Sequence, residues 1–369
     1  MSPTRMRISL VLPDLPVGGA ERAALTLARE FILFGHELAV CLLHTRGELV
    51  SAARTLPARL CDLSMISLLR APAAIRRLAR FLAEWRPDVV YPILWSATVA
   101  AGSAAYAARR HARMITVEHN LPSWYAPRVR YGSLKLRAVM CVHRRADRVI
   151  VPSVLVREDL IGLGLHPDRV VVIPNPVPVP QGVAPIDQEP SRPLVVACAA
   201  RLFRHKGIDR VIRAIAILQS MGVDAVLRVA GEGPRRAELE ALAADLGIAD
   251  RVLFLGWVRD MSSFYKESHV VVHAAESESF GLVVAEAMAH GRPVVVTPAL
   301  LKSLSFLAPG ENALITSGAP EAIARCLYEA VRTPGYLRGL AERGLRDVAR
   351  VCDPRAVAQA YLEAAEVAG

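Results

Sequence analysis

The stretch HAAESESFGLVVAEAMAHGRPVVV, residues 273–296, has the pattern of a loop, a helix and a buried strand in succession. The valine run just before the stretch, at 270–272, and the one at its end, at 294–296, predict strands, and Gly281 is predicted to start a helix that runs to about Ala289. Glu286 lies within that apolar helix, where a carboxylate is costly to bury without a partner. The stretch therefore predicts a strand-helix-strand unit with one acid, Glu278, before the helix and another inside it.

The same alternation of short apolar runs and longer helical patterns extends along the chain in both directions. Runs of apolar residues without alternation are typical of strands that are covered on both faces, as in parallel sheets. The predicted strands are 7–12, 38–43, 88–93, 114–117, 148–151 and 170–173, followed by 194–199, 225–230, 251–255, 270–273, 293–297 and 313–316. We expect an α/β fold with two doubly wound parallel sheets, each with its functional loops at the carboxyl ends of its strands.

A proline-rich segment separates the two series of strands. Seven prolines between residues 174 and 193 exclude a continuous helix or a central strand there. A chain of 369 residues also exceeds what one hydrophobic core usually supports. We expect an amino-terminal domain at 1–178, a stiff linker at 179–193 and a carboxy-terminal domain at 194–352, with a ligand cleft between two facing domains.

The composition narrows the class of protein. Hydrophobic residues make up 53% of the chain, which argues against extended disorder. No apolar run approaches the roughly 20 residues that a membrane-spanning helix needs. The start, MSPTRMRISLVLPDLP, predicts a first strand rather than a signal peptide. Six scattered cysteines without a CxxC pair predict neither a disulfide framework nor a zinc site, and they fit a reducing cytosol.

The net charge of +10 comes from the first half of the chain. Residues 1–180 contain 24 Lys and Arg against 13 Asp and Glu, or +11, and residues 181–369 contain 21 against 22, or −1. A basic face could meet nucleic acid, an anionic membrane or a phosphorylated substrate, or it could be a solvated arginine-rich surface. The amphipathic segments 73–85 and 131–145 could dock on anionic lipid, although core packing explains their apolar faces equally well. We expect peripheral contact with an anionic membrane and no nucleic-acid partner.

Two predicted loops offer groups suited to phosphate. In the first, Gly18 and Gly19 lead into a helix, which leaves backbone N–H groups available, although a plain tight turn has the same pattern. In the second, Arg201 and Lys206 follow the strand 194–199. Arginine can grip two oxygens while lysine acts as a mobile point charge, so the pair suits a diphosphate. The alternative for these two cations is an ordinary surface pair.

The helix that begins at Gly281 offers a third anion site. Its unpaired N–H groups and its positive end would attract a diphosphate. Glu286 lies about five residues further on, roughly 7 Å along the axis, where it could accept the hydroxyl protons of a ribose. Glu278 would lie beside the group that the diphosphate carries. Alternatively, the two glutamates bind no ligand: one is an ordinary surface acid, and the other lies near the helix N-terminus and interacts favourably with the helix dipole.

This ordered set of motifs resembles the retaining glycosyltransferases of glycosyltransferase family four, which have the GT-B fold of two facing Rossmann-like domains. The resemblance spans almost the whole chain. The motifs that carry it are GGAER at 18–22, RADRVIVPS and IPNPV at 145–177, ARL…KG at 200–207, GEGP at 231–234, the two glutamates at 278 and 286, and EAMAHGRPVVV at 286–296. It also implies that the domain at 1–178 lies on the acceptor side, that the domain at 194–352 binds the nucleotide sugar, and that the last helix, at 353–369, returns to the amino-terminal domain.

The resemblance implies roles for individual residues. Arg201 and Lys206 would hold the donor diphosphate, Glu278 would contact hydroxyls of the transferred sugar, and His119 in TVEHN would lie near that sugar. Taken alone, His119 could equally be a satisfied core histidine. The substrate-binding positions that follow are Gly18, Gly19, Phe280, Gly281, Leu282, Val283 and Glu286, with Glu286 on the ribose.

The chain departs from the family pattern in three places. Ala200 replaces a usual glycine. Leu301, Lys302 and Ser305 stand where the family commonly has two glycines and a glutamate, in the loop 297–316 that normally borders the cleft. Asn312 is followed by Ala313 rather than by glycine.

We expect a cytoplasmic, membrane-associated enzyme that transfers a sugar, such as a hexose, from a nucleotide diphosphate to a glycan or polyprenyl-linked acceptor in envelope polysaccharide or lipopolysaccharide assembly. No DxD motif occurs, so we expect neither a metal nor another cofactor. Two other readings stay open at this point. One is a non-hydrolysing nucleotide-sugar epimerase of the same fold, and the other is a non-catalytic nucleotide-sugar-binding homologue.

Overall fold

The computed structural model describes residues 5–65, 70–107, 112–186 and 193–367. The chain divides into two compact units, Met1–Pro176 together with Pro354–Gly369, and Val177–Asp353. Each unit has its own parallel sheet and its own core. The expected linker at 179–193 lies in part outside the described residues.

The amino-terminal unit is built on seven parallel strands in the order β3-β2-β1-β4-β5-β6-β7. The strands are β1 Arg7–Leu12, β2 Glu37–Leu42, β3 Arg59–Asp62, β4 Val89–Pro92, β5 Arg113–Val117, β6 Arg148–Val151 and β7 Val170–Val172. The helices are α1 Gly19–Leu33, α2 Val50–Arg54, α3 Ala71–Trp85, α4 Trp95–Ala107, α5 Pro122–Tyr125, α6 Gly132–His143, α7 Val154–Gly162 and α14 Pro354–Glu366.

The carboxy-terminal unit is built on six parallel strands in the order β10-β9-β8-β11-β12-β13. The strands are β8 Leu194–Ala199, β9 Ala225–Ala230, β10 Val252–Gly256, β11 Val270–His273, β12 Val294–Val296 and β13 Leu314–Ile315. The helices are α8 Ile208–Ser220, α9 Arg236–Asp245, α10 Met261–Lys266, α11 Leu282–Ala289, α12 Pro320–Arg332 and α13 Tyr336–Val351.

The predicted fold class, with two doubly wound parallel sheets, is confirmed, and the reason is visible in the burial of the strands. All three residues of β12 are fully buried, as the unbroken valine run predicts for a strand covered on both faces. The sequence missed one strand, β3. It has the sequence RLCD at the edge of the sheet and its residues are only partly buried, so it lacks the apolar run that marks a central strand.

The last helix, α14, belongs to the amino-terminal unit. The hydroxyl of Tyr91 on β4 donates a buried hydrogen bond of 2.7 Å to the carbonyl of Tyr361 on α14. The ring of Tyr91 also stacks on Phe31 of α1, with 5.9 Å between centroids. Arg113 on β5 donates to the carbonyl of Ala365 at 2.6 Å. These contacts fix the end of the chain against the sheet on which it packs.

Within the described ranges, none of the helices combines the length and the apolar character that crossing a lipid bilayer requires.

We expect Tyr91→Phe to lower the free energy of unfolding by about 1–2 kcal/mol, because it removes a buried hydrogen bond and leaves the ring packing in place. The measurement is urea denaturation followed by circular dichroism. Tyr106, whose side chain is 90% exposed, provides the control, and Tyr106→Phe should change the free energy by less than about 0.5 kcal/mol. Equal effects of the two substitutions would contradict a stabilising role for the bond to α14.

Candidate functional site

The candidate site lies where the strand order of the carboxy-terminal sheet reverses. The sheet grows from β8 in one direction through β9 and in the other direction through β11. The loops that follow β8 and β11 must therefore diverge, and they leave a crevice at the carboxyl ends of these strands, where doubly wound sheets bind ligands. The loop 200–207 follows β8, and the loop 274–281 follows β11. They are joined by a hydrogen bond of 2.9 Å from the N–H of Glu276 to the carbonyl of His205.

The loop after β8 depends on glycines at three close backbone approaches. A Cβ atom on Gly231 would lie 2.0 Å from the carbonyl oxygen of Ala200, and one on Gly233 would lie 2.7 Å from the backbone nitrogen of Leu202. Gly207 has a φ of +68°, and a Cβ there would lie 2.3 Å from the carbonyl oxygen of Ala274. The GEGP motif is thus explained by packing, because it lets the segment after β9 support the loop that carries the two cations.

Two polar side chains meet at one carboxylate in this crevice. The ammonium group of Lys206 forms an ion pair with Oε1 of Glu278, and Nε2 of His273 donates a hydrogen bond to the same oxygen at 2.9 Å. The side chain of Glu278 is 16% exposed and that of His273 is 2% exposed. A carboxylate with two donors on one oxygen has a fixed orientation, and its second oxygen can accept from a ligand.

The environment of Glu278 favours its ionised form. Burial alone would raise the pKa of this carboxyl group, but the hydrogen bond from His273 and the positive charge of Lys206 outweigh burial and lower the pKa to about 2. Glu278 is therefore an anion and a hydrogen-bond acceptor throughout the neutral range. It is not suited to donate a proton there.

His273 was not identified from the sequence as a site residue. It is the last residue of β11, at the carboxyl end of a strand whose other residues are all valine. A polar residue at that place in a buried parallel strand is a signal for a site residue, because the carboxyl ends of such strands line the ligand crevice. From the sequence alone, His273 is predicted only as the end of the strand.

Arg201 lies on the exposed part of the same loop. Its guanidinium group lies 5.4 Å from the centre of the Phe203 ring, and that ring stacks on His205 at 6.0 Å. Burial and the neighbouring charge of Lys206 lower the pKa of His205, with Arg201 acting in the same direction. Arg201 and Lys206 therefore both lower the pKa of His205 in this loop. Of these two cations, Lys206 is the one that contacts Glu278 directly.

The helix α11 begins at the edge of this crevice. Gly281 is its N-cap residue with a φ of +89°, and a Cβ there would lie 2.9 Å from Leu300. The amides of Gly281, Leu282 and Val283 lie in the first turn, where a helix has no intrahelical acceptors for its N–H groups. Phe280 is buried in the apolar cluster below. The predicted helix start is confirmed, and it presents backbone donors next to the loop of Glu278.

Glu286 is buried on α11, and it has the partner that its burial requires. The hydroxyl of Tyr265 on α10 donates to its Oε2 at 3.3 Å. The ring of Tyr265 lies 5.0 Å from that of His290, and Nδ1 of His290 donates to the backbone carbonyl of Glu286 at 2.7 Å. The structure thus gives Glu286 a structural contact, and its expected contact with a ribose stays a prediction.

The atypical loop 297–316 is well packed. The hydroxyl of Ser303 donates to the backbone carbonyl of Glu278 at 2.6 Å, so this loop supports the loop that carries the acid. Leu300 and Leu304 are fully buried beneath Gly281. Asn312 is also buried, and its amide donates to the carbonyl of Phe306 and accepts from the N–H of Ala308, both at 2.8 Å.

The amino-terminal unit carries the other predicted residues, at the carboxyl edge of its own sheet. Gly18 is the N-cap of α1, and a Cβ there would lie 2.2 Å from the carboxylate of Glu21, which is buried above it. Gly19 is the first residue of the helix. This loop follows β1, and the sheet order reverses between β1 and β4. It therefore has the same topological position as the loop of Arg201 and Lys206 in the other unit.

His119 follows β5 of the same sheet and is buried, with 8% of its surface exposed. Burial lowers the pKa of His119 to about 4, so its imidazole is neutral at pH 7. The structure therefore gives this histidine the burial of a core residue, and its expected place near a donor sugar stays a prediction.

A buried polar network next to His119 was missed from the sequence. The carboxylate of Glu118 accepts from the indole of Trp95 at 2.6 Å and from the N–H of Asn120 at 2.8 Å. Nε2 of His143 lies 3.5 Å from the same carboxylate, and Nδ1 of His143 is hydrogen-bonded to Thr116 at 2.8 Å. Glu118 thus holds the backbone on both sides of His119. The sequence offers the acid before His119 as a signal, but its partners come from α4 and α6.

In the described parts of the chain, no three or more His, Cys, Asp or Glu side chains are grouped so that they could hold a metal ion.

We expect Glu278→Gln to destabilise the protein at pH 7, by a few kcal/mol at about 1.4 kcal/mol for each unit of pKa shift. Because the pKa of Glu278 is about 2 against 4.5 for a free glutamate, the ionised group stabilises the fold fully above about pH 5, and this stabilisation is lost as the pH falls towards 2. The difference in unfolding free energy between wild type and variant should therefore shrink below pH 4.5. Urea denaturation at several pH values measures it.

Glu276, in the same loop, is the matched control, because its side chain is 60% exposed and its ion pair with Arg210 is longer, at 3.4 Å. Glu276→Gln should have a small effect at every pH. A pH-independent effect of Glu278→Gln would contradict the low pKa.

Comparison with known proteins assigns each half of the chain to a family. The family described as Glycosyltransferase Family 4 matches residues 17–180, and the one described as Glycosyl transferases group 1 matches residues 184–346.

Two curated relatives illustrate the range of similar proteins. A lipopolysaccharide core biosynthesis glycosyltransferase, LpsE of Rhizobium meliloti, is 33% identical over 181 residues, which are 49% of this chain and 52% of the relative. A GDP-mannose-dependent phosphatidylinositol dimannoside mannosyltransferase of Mycobacterium tuberculosis is 35% identical over 39% of this chain and 37% of the relative. The chain thus spans about half or less of the length of these relatives.

The solved structures extend the likeness to the whole fold. The structure of HepE from Anabaena in complex with UDP-glucose superposes with a TM-score of 0.85, at 20% identity, over 98% of this chain and 100% of that one. At this identity the likeness shows the fold alone. The family matches run consecutively through the two units, and the chain belongs to the superfamily of group 1 and family 4 glycosyltransferases.

Proposed function

We propose that the protein is a retaining glycosyltransferase that moves a sugar from a nucleotide-diphosphate donor to a glycan or lipid-linked acceptor in the assembly of cell-envelope polysaccharide or lipopolysaccharide. The names of the relatives support the direction of this proposal, because one acts in lipopolysaccharide core biosynthesis and another on a phosphatidylinositol dimannoside. A nucleotide-sugar donor is supported by the UDP-glucose complex of the Anabaena protein.

The observation that carries the proposal is the cluster of Lys206, Glu278 and His273 at the topological switch point, beside the start of α11. It places a cation, an anion with a fixed orientation and backbone N–H donors around one crevice. A nucleotide diphosphate sugar has the complementary groups, with phosphate oxygens for the cation and the amides, and sugar hydroxyls for the carboxylate.

In the proposed mechanism the protein neutralises the leaving group without a metal. The acceptor oxygen forms a bond to the anomeric carbon, and the bond from that carbon to the diphosphate breaks. Attack on the face from which the diphosphate leaves retains the configuration, and the departing phosphate takes the acceptor proton. Lys206, Arg201 and the first amides of α11 stabilise the negative charge that develops on the diphosphate.

Glu278 and His273 orient the sugar in this mechanism. Because Glu278 stays ionised, it accepts hydrogen bonds from sugar hydroxyls and does not act as a general acid. His273 keeps the carboxylate in place through Oε1. Glu286 accepts from the ribose hydroxyls, as its place about five residues beyond Gly281, inside α11, suggests. His119, kept neutral by burial, serves as a hydrogen-bonding group for the donor sugar, and Gly18 and Gly19 offer backbone donors.

The acceptor side of the proposal includes contact with an anionic membrane surface on the cytoplasmic side. The two amphipathic helices differ here. The apolar face of α3 is covered, since Leu78, Leu82 and Trp85 are all buried in the core. At the start of α6, by contrast, Leu134 is 67% exposed and Tyr131 is 64% exposed.

The exposed apolar groups of α6 stand among basic side chains. Arg130 lies over the ring of Tyr131 at 4.8 Å, and Lys135 and Arg137, which follow Leu134 along the helix, are exposed. Apolar and aromatic side chains surrounded by Lys and Arg are typical of helices that bind in the headgroup region of anionic membranes. The start of α6 is therefore our candidate for the membrane contact, and α3 is not.

Arg201→Ala and Lys206→Ala should each lower turnover by about a hundredfold, because each removes a group that stabilises the developing charge on the diphosphate. The donor is first identified by thermal shift with UDP-, GDP- and ADP-sugars, and turnover is then measured as release of the nucleoside diphosphate. Arg213→Ala, at an exposed position on α8, is the control and should behave as wild type. Wild-type turnover in both site variants would refute their roles.

The same assay separates the competing functions. Epimerised donor that accumulates without any acceptor would replace the proposal by an epimerase. Donor binding without transfer to any lipid-linked or free glycan would replace it by a binding protein. Loss of turnover in EDTA that is restored by a divalent cation would contradict the metal-independent mechanism.

For the membrane contact, we expect wild-type protein to sediment with vesicles of phosphatidylcholine and phosphatidylglycerol, increasingly so as the anionic fraction rises. Changing Tyr131 and Leu134 to Ser and Lys135 to Glu should abolish this binding. Arg76, Arg77 and Arg80 on α3 provide the matched control, and their replacement by Gln should have a smaller effect. Binding that does not depend on the anionic fraction, or that is lost only in the α3 variant, would contradict the assignment to α6.

A further inference from the structure

Two of the six cysteines lie side by side in the amino-terminal sheet. Cys41 on β2 and Cys61 on β3 are register partners on adjacent parallel strands. Their side chains lie on the same face of the sheet, since Cys41 belongs to a core cluster with Leu78 and Leu82 of α3, and Cys61 packs against that cluster. The sequence did not suggest a pair, because the two residues are separated by a helix and belong to no CxxC motif.

Register pairing puts the two thiols next to each other, and their surroundings make them unequal. The hydrogen bond that Cys41 donates to Cys61 raises the pKa of Cys41, and burial raises it further, while Ser9 at 3.6 Å acts in the opposite direction. The same bond lowers the pKa of Cys61, against the effects of burial and of Asp62. Cys61 is thus the more readily ionised thiol, and the thiolate is the form that reacts.

The cysteine with the lowered pKa, Cys61, is also the more exposed of the two. Cys41 is fully buried between β1 and β3, whereas Cys61 lies on the edge strand of the sheet and is only half-buried. A small reagent can therefore reach Cys61 first and Cys41 only through it. This arrangement corresponds to an attacking thiol at the surface with a resolving thiol directly behind it.

We propose that Cys41 and Cys61 form a redox modification site, which low-molecular-weight disulfides such as oxidised glutathione convert into an intramolecular disulfide. The thiolate of Cys61 attacks the glutathione disulfide, forms a mixed disulfide and releases one glutathione thiolate, which takes up the proton that Cys61 lost on ionising. The sulfur of Cys41 then attacks the Cys61 sulfur and displaces the second glutathione, which takes up the proton of Cys41. Two electrons pass from the two protein thiols to oxidised glutathione, which becomes two molecules of reduced glutathione.

The spacing of the strands allows the bond and makes it reversible. Adjacent strands lie about 4.8 Å apart, within the range of roughly 4.4–6.8 Å between the Cα atoms of a disulfide. The Cβ atoms of register partners are about as far apart as the strands, whereas a disulfide needs about 3.8 Å. The strands must therefore approach slightly, and a disulfide under such strain is the kind that reduced glutathione can open again.

The pair lies close to the predicted glycine loop in this unit. The segment that follows β2 is hydrogen-bonded to the segment before that loop, with the N–H of Leu15 donating to Arg46 and the N–H of Leu49 donating to Leu15, both at 3.0 Å. Gly47 is packed against the same backbone. A cross-link between β2 and β3 acts on the strand that leads directly into this segment.

The test is incubation of the folded, full-length protein with oxidised glutathione, followed by alkylation of the remaining thiols and intact-mass and peptide mass spectrometry. In wild type we expect Cys41 and Cys61 to lose two hydrogen atoms between them and to yield a linked peptide pair that contains both residues. Cys41→Ser should instead retain one glutathione on Cys61, because the resolving thiol is missing. Addition of reduced glutathione should restore both thiols in wild type.

The exposed cysteine Cys141 provides the control for general thiol reactivity. Cys141→Ser should still form the linked pair, and in wild type Cys141 should carry only a glutathione adduct. The proposal is overturned if folded wild type gains glutathione without a link between Cys41 and Cys61, or if the link forms only in urea. Circular dichroism of each variant before oxidation establishes that the protein being tested is folded.

Discussion

The electrostatic balance around Glu278 is the interaction on which the rest of the candidate site depends. A carboxylate in a mostly buried position is unfavourable unless donors compensate it, and here Lys206 and His273 both meet the same oxygen. Each of the three groups comes from a different local context: the loop after β8, the end of β11 and the loop that follows it. Loss of Glu278 would leave both donors without this acceptor, and loss of either donor would remove one of the two groups that compensate the carboxylate.

The geometry of this cluster is built by the sheet rather than by the loops themselves. Because the strand order reverses between β8 and β11, two loops far apart in sequence begin side by side and diverge. The loops are then held from behind. Gly231 and Gly233 let the segment after β9 support the first loop, and Ser303 holds the backbone of Glu278 in the second. Residues outside the cluster of Lys206, His273 and Glu278 thus help to fix the positions of its charged groups.

The loop 297–316 departs from the family pattern and still supports the candidate site. Its sequence replaces the usual glycines by Leu301 and Lys302, yet its leucines fill the space beneath Gly281 and its serine supports the acid loop. In the amino-terminal unit, a candidate residue is also held in place by residues around it. There, a buried network around Glu118 holds the chain on both sides of His119, with partners from two helices.

The sequence by itself determined the class of fold and the positions of most strands, because unbroken runs of valine and isoleucine are stable only in strands covered on both faces. It also determined the start of α11 at Gly281 and singled out Glu278 and Lys206 as candidates, since charged groups and glycines after buried strands are visible in the pattern. It missed β3, an edge strand of mixed polarity, for the same reason. Only the tertiary structure decided that Lys206 and His273 share one oxygen of Glu278, that Tyr265 partners Glu286 and that Cys61 lies against Cys41. These contacts join residues from separate strands and helices, and sheet order and side-chain packing, which no local pattern encodes, bring them together.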